Sequence, residues 1–456
     1  MKTTPLTRQP RLKVHTLGLE VLAGPDQGKR AEAPSEVMTI GSAPGNDLVL
    51  TDKTVSRFHL ELTRTDTGIL VKDLRSTNGT LAGSVRIDQG AIEPGTVLRL
   101  GATEVRVLNG AETVVEVLEE DHFHDLRGNT PQMRRLMAQI ARVARTSVPV
   151  LILGESGTGK ELVARAIHDH SERSAGPFVV VDCGALAPTL VASELFGHEK
   201  GAFTGAERTH IGAFERAQGG TLFLDEVGEL SAELQPQLLG ALERRQLRRV
   251  GGKADIPLDV RVVTATNRDL RAEVNAGSFR MDVYFRIAVV VLKIPPLRER
   301  RSDLPLLVEH FVRQAGHEGP LEEVLPAGAL AELERHAWPG NVRELRNWVE
   351  ATLALGESPE LFVSGPDAAA QATADAIGCE PALLELPYKD ARDLLLRRFE
   401  RRYLDRLVER AGDNVTRAAR LARMDRSYLI RLLQRHQKRD GRDGPADELG
   451  DAEAEG

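Results

Sequence analysis

The residues with the clearest chemical potential form a glycine-rich loop that ends in a lysine. Residues 154–160 lie between an apolar run and a segment of helical periodicity. Glycines let successive backbone N–H groups point into one concavity, and a helix N-terminus adds positive potential there. Lys160 is placed to reach the β- and γ-phosphates of a nucleotide. The residues predicted to bind ATP are Gly154, Glu155, Ser156, Gly157, Thr158, Gly159, Lys160 and Glu161.

Polar residues at the ends of two further apolar runs could act on a bound nucleotide. Asp225 and Glu226 follow the run 221–224 and are expected to face the glycine-rich loop from a neighbouring strand. Because Glu161 stands where a serine or threonine usually holds magnesium, Asp225 is predicted to hold Mg²⁺, directly or through water. Glu226 is predicted to orient and deprotonate the attacking water. Asn267 is predicted to sense the γ-phosphate.

Composition limits the number of domains and the kinds of partner. The chain has 456 residues, of which 41% are hydrophobic and 28% charged. This length predicts about two to four domains. Its two cysteines, Cys183 and Cys379, lie in unlike surroundings, which predicts a reducing compartment without a disulfide or thiolate metal site. No run reaches the ~18 apolar residues of a membrane span, so we expect a cytoplasmic protein without a membrane partner.

The residue pattern changes several times along the chain and predicts a multidomain protein. Short β-rich runs separated by turn signals predict an all-β sandwich. Apolar runs that alternate with helical segments predict an α/β domain with a doubly wound parallel sheet, followed by purely helical periodicity. The predicted segments are the sandwich at 11–110, a linker at 111–124, the α/β domain at 125–356 with a helical lid from about 297, a linker at 357–387, an all-α unit at 388–439 and a disordered acidic tail at 440–456.

Several motifs in residues 125–356 together resemble the bacterial sigma-54-dependent activators, a branch of the AAA+ ATPases that are also called enhancer-binding proteins. The strings that carry the resemblance are GESGTGKE at 154–161, ELFGHEKGAFTGA at 194–206, GGTLFLDE at 219–226, ATNRDL at 265–270, FRMDVYFRI at 279–287, PPLRER at 295–300 and WPGNVREL at 338–345. The resemblance covers this segment without a gap and implies a P-loop AAA+ domain.

The hexapeptide at 201–206 is the most specific of these motifs. Its small residues around one aromatic side chain predict a supple loop tip with a single apolar probe, Phe203. The resemblance implies that Phe203 and Thr204 contact the sigma factor of sigma-54 RNA polymerase and move when ATP turns over. The residues of the predicted contact are Gly201, Ala202, Phe203, Thr204, Gly205 and Ala206.

Three arginines acquire roles through the same resemblance. By themselves, Arg280 and Arg286 on a helical stretch would predict a solvated face. The resemblance implies that they are fingers that enter the nucleotide site of a neighbouring subunit, so that ATP turnover requires a ring, usually a hexamer. Arg343 matches the second sensor of the lid.

Asp182 stands where, in the family, an asparagine often holds the catalytic glutamate. An acid at this position is expected to repel Glu226.

The C-terminal unit has the charge and pattern of a DNA-binding module. Residues 414–421 and 425–435 predict two short helices, within a segment, 411–439, that has eight basic and two acidic residues. This pattern fits a helix-turn-helix that reads double-stranded DNA, with a plain helical hairpin as the alternative. The segment also resembles a Fis-type module, although Arg423 replaces the glycine of its turn. The predicted DNA contacts are Arg426, Ser427, Tyr428 and Arg431.

The N-terminal sandwich resembles a forkhead-associated domain, a phosphothreonine-binding fold. The matching residues are Ile40-Gly41, Asn46-Asp47, Ser56-Arg57-Phe58-His59 and Ser76-Thr77-Asn78-Gly79-Thr80. The resemblance implies that Ser56 meets the phosphate, Thr77 lines the site, Asn78 holds the peptide backbone and His59 braces the loops. Ser42 replaces the arginine that usually follows the glycine, and Arg57 is the candidate substitute. The alternative is a structural sandwich that docks on the ATPase.

Together these expectations describe a transcriptional activator that binds upstream DNA and uses ATP hydrolysis to open promoter complexes of sigma-54 polymerase. A phosphothreonine protein from a Ser/Thr kinase pathway is the expected regulatory partner. The alternative is a DNA-binding repressor or phosphopeptide scaffold with a vestigial ATPase. Intact Lys160, Asp225, Glu226, Phe203 and Thr204 favour the activator.

Overall fold

The computed structural model describes residues 11–361, with gaps at 34, 66–67, 186–187, 318, 322–324, 326–328, 357–358 and 360. The predicted DNA contacts Arg426, Ser427, Tyr428 and Arg431 lie outside the described residues, as do the acidic tail and nearly all of the linker at 357–387. In the described part of the chain, no helix is long and apolar enough to span a membrane.

The N-terminal β-rich runs form two sheets. One has six strands in the order β2-β1-β11-β10-β7-β8, and the other has five in the order β4-β3-β5-β6-β9. Alternating residues of both sheets, such as Leu60, Leu62, Val105 and Val107, fill the core between them. The strands are β1 Arg11–Ala23, β2 Arg30–Glu32, β3 Val37–Gly41, β4 Leu48–Val49, β5 Leu60–Thr65, β6 Gly68–Asp73, β7 Thr80–Ala82, β8 Val85–Ile87, β9 Gln89–Ile92, β10 Val97–Leu100 and β11 Thr103–Glu116.

The last β-rich segment of the sandwich reaches beyond the boundary predicted at residue 110. It is two strands, β10 and β11, joined by a turn in which Gly101 adopts a φ of 61°. A Cβ at Gly101 would lie 2.1 Å from Oγ1 of Thr54, so this turn has no room for a side chain. Strand β11 then continues to Glu116 and pairs with residues 11–15 of β1. The start of the predicted linker therefore extends the sandwich as a two-stranded ribbon.

The central region is an α/β unit around a five-stranded sheet in the order β15-β16-β19-β14-β20, with all neighbours parallel. All six residues of β19 are buried, as expected for a strand covered on both faces. The strands are β12 His122–Phe123, β13 Leu126–Arg127, β14 Val150–Leu153, β15 Phe178–Asp182, β16 Thr221–Asp225, β17 Gln246–Leu247, β18 Ile256–Pro257, β19 Arg261–Thr266 and β20 Val290–Lys293. The helices are α1 Pro131–Ala144, α2 Lys160–Asp169, α3 Pro188–Phe196, α4 Ala213–Arg216, α5 Gln235–Arg244, α6 Leu270–Ala276 and α7 Met281–Ile287; a 3₁₀ turn spans Val227–Glu229.

A helical lid follows the sheet. It begins with two 3₁₀ turns, Leu297–Glu299 and Arg301–Asp303, and its helices are α8 Leu304–Gln314, α9 Ala329–Arg335 and α10 Asn341–Leu355. Its apolar side chains form a separate core around Trp338 and Leu345. The lid therefore has a core of its own, distinct from the clusters on the sheet.

Candidate functional site

The carboxyl ends of the parallel strands bring the predicted ATP residues to one edge of the sheet. In the strand register, Asp182 pairs with Asp225, and Leu153, just before the glycine-rich loop, pairs with Thr266. Asn267 follows that threonine directly. The loop, the acidic pair and the predicted sensor thus share one edge, which is where open α/β sheets bind their ligands.

The glycine-rich loop lies against the first turn of α10. Gly157 has a φ of 78°, and a Cβ there would lie 2.2 Å from the carbonyl oxygen of Gly340. The backbone N–H of Arg343 donates to the carbonyl oxygen of Gly157 at 3.2 Å, and Nη1 of Arg343 donates to Oγ of Ser156 at 3.2 Å. Arg343 is therefore in contact with the loop, where a second sensor is expected. α2 begins directly after the loop, at Lys160.

Lys160 is engaged by protein groups. Its side chain is 7% exposed, and its Nζ donates to Oε1 of Glu226 at 2.8 Å and to the carbonyl oxygen of Gly154 at 3.2 Å. A phosphate would have to displace Glu226 from this cation. The ion pair therefore links the predicted phosphate-binding group to the predicted catalytic base.

Glu226 is held by Lys160 and by the end of β19. Besides Lys160, its second carboxylate oxygen accepts from the backbone N–H of Asn267 at 3.1 Å and lies 3.5 Å from Oγ1 of Thr266. Its backbone has a φ of 48°, which non-glycine residues rarely adopt. Its own N–H donates to Oδ1 of Asp225 at 2.9 Å, which fixes this turn. An unusual backbone conformation at such a position is typical of functional sites.

The edge of the sheet around Asp225 has negative potential. Burial raises the pKa of Asp225, and the carboxylates of Glu226 and Asp182 add to this effect, while Lys160 opposes it. Burial also raises the pKa of Cys183 to about 12, with help from the same three acids. A cation at Asp225 would relieve this repulsion, so the residues present fit Mg²⁺. Among the described residues, no group of three or more His, Cys, Asp or Glu could hold a metal without other ligands.

The side chain of Asp182 has a different orientation from the expected one. Its Oδ1 accepts from the backbone N–H groups of Gly184 at 2.8 Å and Ala185 at 3.2 Å, and so it closes its own loop. Its electrostatic effect falls on Asp225, whose pKa it helps to raise. Glu226 is paired with Lys160, and the repulsion between Asp182 and Glu226 stays a prediction.

Two lid residues that we did not single out hold the loop from above. Arg298 makes two contacts with the carboxylate of Glu155, at 2.5 and 2.8 Å. Asn341 is fully buried; its Nδ2 donates to Oε2 of Glu155 at 3.1 Å and to the carbonyl oxygen of Ser156 at 3.0 Å, while its Oδ1 accepts from the N–H of Leu297 at 2.8 Å. The side chain of Glu155 thus binds the lid, and the predicted contact of this residue with ATP stays a prediction. Arg298 and Asn341 lie in the motifs PPLRER and WPGNVREL, and this position is the sequence signal that could have identified them.

Two other predicted ATP-binding residues, Thr158 and Glu161, differ from each other in exposure. Thr158 is buried, and its Oγ1 closes the turn by donating to the carbonyl oxygen of Glu155 at 2.7 Å. Glu161 is exposed on the first turn of α2. The backbone N–H of Thr158 donates to the same carbonyl oxygen of Glu155 at 3.3 Å, so both groups close this turn.

Of the two predicted arginine fingers, Arg280 directly precedes α7 and Arg286 lies in its last turn. Arg280 is the N-cap residue of that helix, not part of it as we expected, and its guanidinium pairs with Asp282 at 2.7 and 3.0 Å. Arg286 donates to the carbonyl oxygen of Leu242 at 2.8 Å. Within the described residues, neither side chain makes a hydrogen bond or ion pair with residues 154–161. Arg280 and Arg286 therefore do not contact the glycine-rich loop of their own subunit.

The hexapeptide 201–206 forms a tight exposed loop. The N–H of Gly201 donates to the carbonyl oxygen of Ala206 at 2.8 Å, and the N–H of Ala206 donates to that of Phe203 at 3.0 Å. Phe203 is 44% exposed, with its ring centroid 4.8 Å from that of His198. Nδ1 of His198 lies 2.7 Å from Oγ of Ser193 on α3. Sequence analysis missed this support, because His198 is separated from Phe203 by the start of the loop.

The predicted phosphopeptide residues share one end of the sandwich. Oγ of Ser56 accepts from the N–H of Thr77 at 2.9 Å, and Nδ2 of Asn78 donates to the carbonyl oxygen of Thr54 at 2.8 Å. Nδ1 of His59 accepts from the N–H of Ser56 at 3.1 Å, while its Nε2 lies 3.2 Å from the carbonyl oxygen of Gly79. His59 therefore ties the two loops together. Arg57 is exposed next to Ser56.

Three parts of the chain match known families. Residues 126–293 match the family described as "Sigma-54 interaction domain", and residues 298–371 match "AAA+ ATPase lid domain". Residues 20–110 match "Inner membrane component of T3SS, cytoplasmic domain".

Individual proteins are similar over longer stretches. The transcriptional regulatory protein GlrR of Escherichia coli (strain K12) is 44% identical over 309 residues, which cover 68% of this chain and 67% of GlrR. NtrX from Brucella abortus, solved in complex with ATP, is 37% identical and covers 70% of each chain, with a TM-score of 0.49. A solved structure described as phosphothreonine-dependent FHA domain interactions is 30% identical. The match covers 20% of this chain and 95% of the other chain, with a TM-score of 0.19. The identity and coverage with GlrR, together with the matching sigma-54 interaction domain, show that the chain belongs to the family of sigma-54-dependent transcriptional regulators.

Proposed function

We propose that the protein is an ATP-hydrolysing transcriptional activator that remodels the closed promoter complex of sigma-54 RNA polymerase. The observation that carries this proposal is the arrangement of Lys160, Asp225 and Glu226 at one sheet edge beneath the lid, in the domain that presents Phe203 to solvent. A vestigial ATPase would have no need to retain both a complete hydrolytic set and an exposed aromatic probe.

In the proposed reaction, Lys160 moves from Glu226 to the β- and γ-phosphates when ATP binds. Glu226 is then free to accept a proton from the attacking water, as a general base must be within hydrogen-bond reach of it. Asp225 would hold Mg²⁺, which would neutralise charge on the phosphates. The side-chain amide of Asn267 is proposed to bind the γ-phosphate. The backbone N–H of the same residue already bonds Glu226, so phosphate binding is coupled to that carboxylate.

Arg280 and Arg286 are proposed to complete the site of a neighbouring subunit in a hexamer. Both make intrachain contacts that a phosphate could replace, one with a carboxylate and one with a carbonyl oxygen. An arginine finger supplies ~10³–10⁵ in rate in other NTPases. Hydrolysis is therefore proposed to depend on assembly.

The proposed output is movement of Phe203 and Thr204 against the sigma factor. Strand β15 ends at Asp182, close to the acidic pair, and the next helix, α3, carries the Ser193 that bonds His198 beneath Phe203. A change at the nucleotide site thus has a short route through α3 to the loop.

Two further partners complete the proposal. The helix-turn-helix at 388–439 would bind double-stranded DNA upstream of the promoter through Arg426, Ser427, Tyr428 and Arg431. The sandwich would bind a phosphothreonine protein through Ser56, Arg57, Thr77 and Asn78. The fixed loops around His59 and the exposed guanidinium of Arg57 support the second role.

Promoter opening by purified sigma-54 polymerase tests the central part of the proposal. Deletion of residues 201–206, or Phe203→Ala, is expected to abolish open-complex formation while ATP hydrolysis persists. Ile211→Ala is a matched control, because Ile211 is also exposed, at 54%, in the same segment outside the hexapeptide. Promoter opening by the deletion variant would refute the sigma-54 role, and absence of ATP hydrolysis in the intact protein would favour the repressor or scaffold.

A further inference from the structure

Three residues from the loops of the sandwich are buried outside its core. Ala43, Phe58 and Leu74 belong to the apolar cluster of the α/β domain, not to the cluster between the two sheets. Each comes from a different loop at the end of the sandwich that carries Ser56 and Thr77. That end of the sandwich is thus seated on the ATPase.

Phe58 is the centre of this contact. It is 1% exposed, and its ring centroid lies 5.2 Å from that of Tyr284 in an edge-to-face arrangement and 6.1 Å from that of Phe285. The guanidinium carbon of Arg271 lies 5.8 Å from the same centroid. Buried aromatic side chains with such neighbours are the usual anchors of specific interfaces.

Asn275, near the end of α6, binds the backbone of two sandwich loops. Its Nδ2 donates to the carbonyl oxygens of Phe58 at 2.5 Å and Leu74 at 2.8 Å, and its Oδ1 accepts from the N–H of Phe58 at 3.3 Å. One amide therefore satisfies three backbone groups that the interface covers. Loss of this amide would leave those groups without partners.

Charged pairs of opposite sign surround the apolar centre. Lys72 pairs with Asp269 at 2.6 Å, and Arg75 with Glu273 at 3.5 Å. Glu61 pairs with Arg271 at 3.1 Å. An apolar centre with a charged rim is the anatomy of a specific protein interface.

The sandwich docks on α6 and α7, the segment that follows the predicted sensor Asn267 and includes the predicted arginine fingers. Asp269 lies two residues after Asn267 and caps α6, and Phe285 directly precedes Arg286 on α7. A Cβ at Gly45 of the sandwich would lie 2.9 Å from the Phe285 ring, so the loop backbone packs closely on this side chain. The docked sandwich thus holds the helix that carries Arg286.

The docking loop is also the loop that carries the proposed phosphate-binding residues. Ser56 and Arg57 immediately precede Phe58, and Nη1 of Arg57 lies 3.5 Å from the carbonyl oxygen of Val274 on the ATPase. Arg75 and Thr77 lie one residue either side of Ser76 in the other loop. A phosphate drawn to Ser56, Arg57 and Thr77 would therefore pull on residues that form the docking contact.

We propose that the docked sandwich restrains α6 and α7 and keeps the arginine fingers in their intrachain contacts, and that phosphothreonine binding at Ser56, Arg57 and Thr77 weakens the docking. The first part stands on the observed interface. The second part rests on the proposed reading of phosphothreonine. Because the two events share loops, each disfavours the other, and linkage requires that this antagonism be reciprocal.

Variants on both sides of the interface test the restraint in the full chain. Asn275→Ala and Arg75→Glu are expected to raise the basal ATPase rate at least about fivefold, the lower end of typical coupling between sites. They are also expected to speed amide hydrogen exchange in α6. Arg99→Glu is the matched control, because Arg99 is exposed on the same sandwich outside the interface. Combining Arg75→Glu with Glu273→Arg should restore the low rate.

A degenerate phosphothreonine peptide library, with its unphosphorylated counterpart as control, tests the antagonism. Asn275→Ala is expected to bind the phosphorylated library at least about fivefold more tightly than the wild type. Equal affinities would refute the antagonism, and unchanged or lowered ATPase in both docking variants would refute the restraint. A third outcome is a raised ATPase rate in the docking variants without phosphate-dependent peptide binding by the wild type or any variant. This result would support the restraint and refute the binding of phosphothreonine.

Discussion

Nζ of Lys160 and Oε1 of Glu226 lie 2.8 Å apart at the edge of the central sheet. The group proposed to bind phosphates and the group proposed to activate water thus neutralise each other until a nucleotide separates them. In this pairing, one carboxylate oxygen of Glu226 is occupied by the Lys160 ammonium. We propose that it is a resting arrangement that the phosphates of ATP disrupt.

Glu226→Gln is predicted to separate nucleotide binding from hydrolysis. The hydrolytic rate should fall by about 10²–10⁴, the usual contribution of a general base. Affinity for ATP should be unchanged or tighter, because Lys160 no longer has an anionic partner. Steady-state hydrolysis and equilibrium binding of ATP measure the two effects, with Glu233→Gln, an exposed site, as control. Equal losses of binding and hydrolysis would argue against this role.

The lid contacts are predicted to differ in strength. Asn341→Ala removes a fully buried amide and should destabilise the lid by about 2–4 kcal/mol, whereas Arg298→Ala breaks a half-exposed ion pair that contributes below about 1 kcal/mol. Both tryptophans of the chain, Trp338 and Trp348, lie in the lid, so their fluorescence during urea denaturation reports its stability. Asn109→Ala, an exposed site, is the control. A larger loss for Arg298→Ala would contradict this ranking.

His198 is predicted to position Phe203. His198→Ala should reduce promoter opening at least about tenfold with little change in ATP hydrolysis, since a misplacement of about 1 Å in a positioned group can cost ~10² in rate. His198→Phe keeps a ring beneath Phe203 but loses the bond to Ser193, and should be intermediate. Open-complex formation and ATP hydrolysis are measured in parallel. A full loss of ATP hydrolysis would show that His198 serves the fold of the domain instead.

Mild acid is predicted to destabilise the sandwich through His59. Burial lowers the pKa of His59 from its ordinary value of 6.5, so the unfolded chain binds a proton more readily than the folded one. The free energy of unfolding should therefore fall as pH drops below 6.5, towards the lower pKa of the folded state. Urea denaturation at pH 5.5–7.5, followed by hydrogen exchange in β5 and β6, measures it. His59→Gln should flatten the dependence, while His122→Gln, at an exposed residue, should not.

Much of the fold and the nucleotide site follows from local sequence signals. Continuous apolar runs such as 150–153 predict buried parallel strands, and polar residues at the strand ends predict a site at the carboxyl edge. The orientation of Asp182 does not follow, because its carboxylate can bond either its own loop or a neighbour. Which of the two is favoured depends on the turn that follows β15.

Contacts between distant segments were beyond the sequence signals. Phe58 has the pattern of a sandwich core residue, and nothing local shows that it packs on Tyr284, more than 200 residues away. Likewise, Arg298 and Glu155 each look like solvated charges until the lid brings them together. Such pairs depend on tertiary topology, which periodicity and motif spacing do not encode.

The central claim is that hydrolysis requires Glu226 from one subunit and Arg286 from its neighbour, and mixing two inactive variants tests it most directly. Glu226→Gln and Arg286→Ala proteins are each expected to show almost no ATP hydrolysis. In randomly mixed rings, about a quarter of the interfaces regain both groups, since ring contacts join unlike surfaces. ATP hydrolysis should recover to about that fraction of the wild-type rate in an equimolar mixture. Mixed rings, verified by co-purification of two affinity tags, that remain inactive would contradict the account.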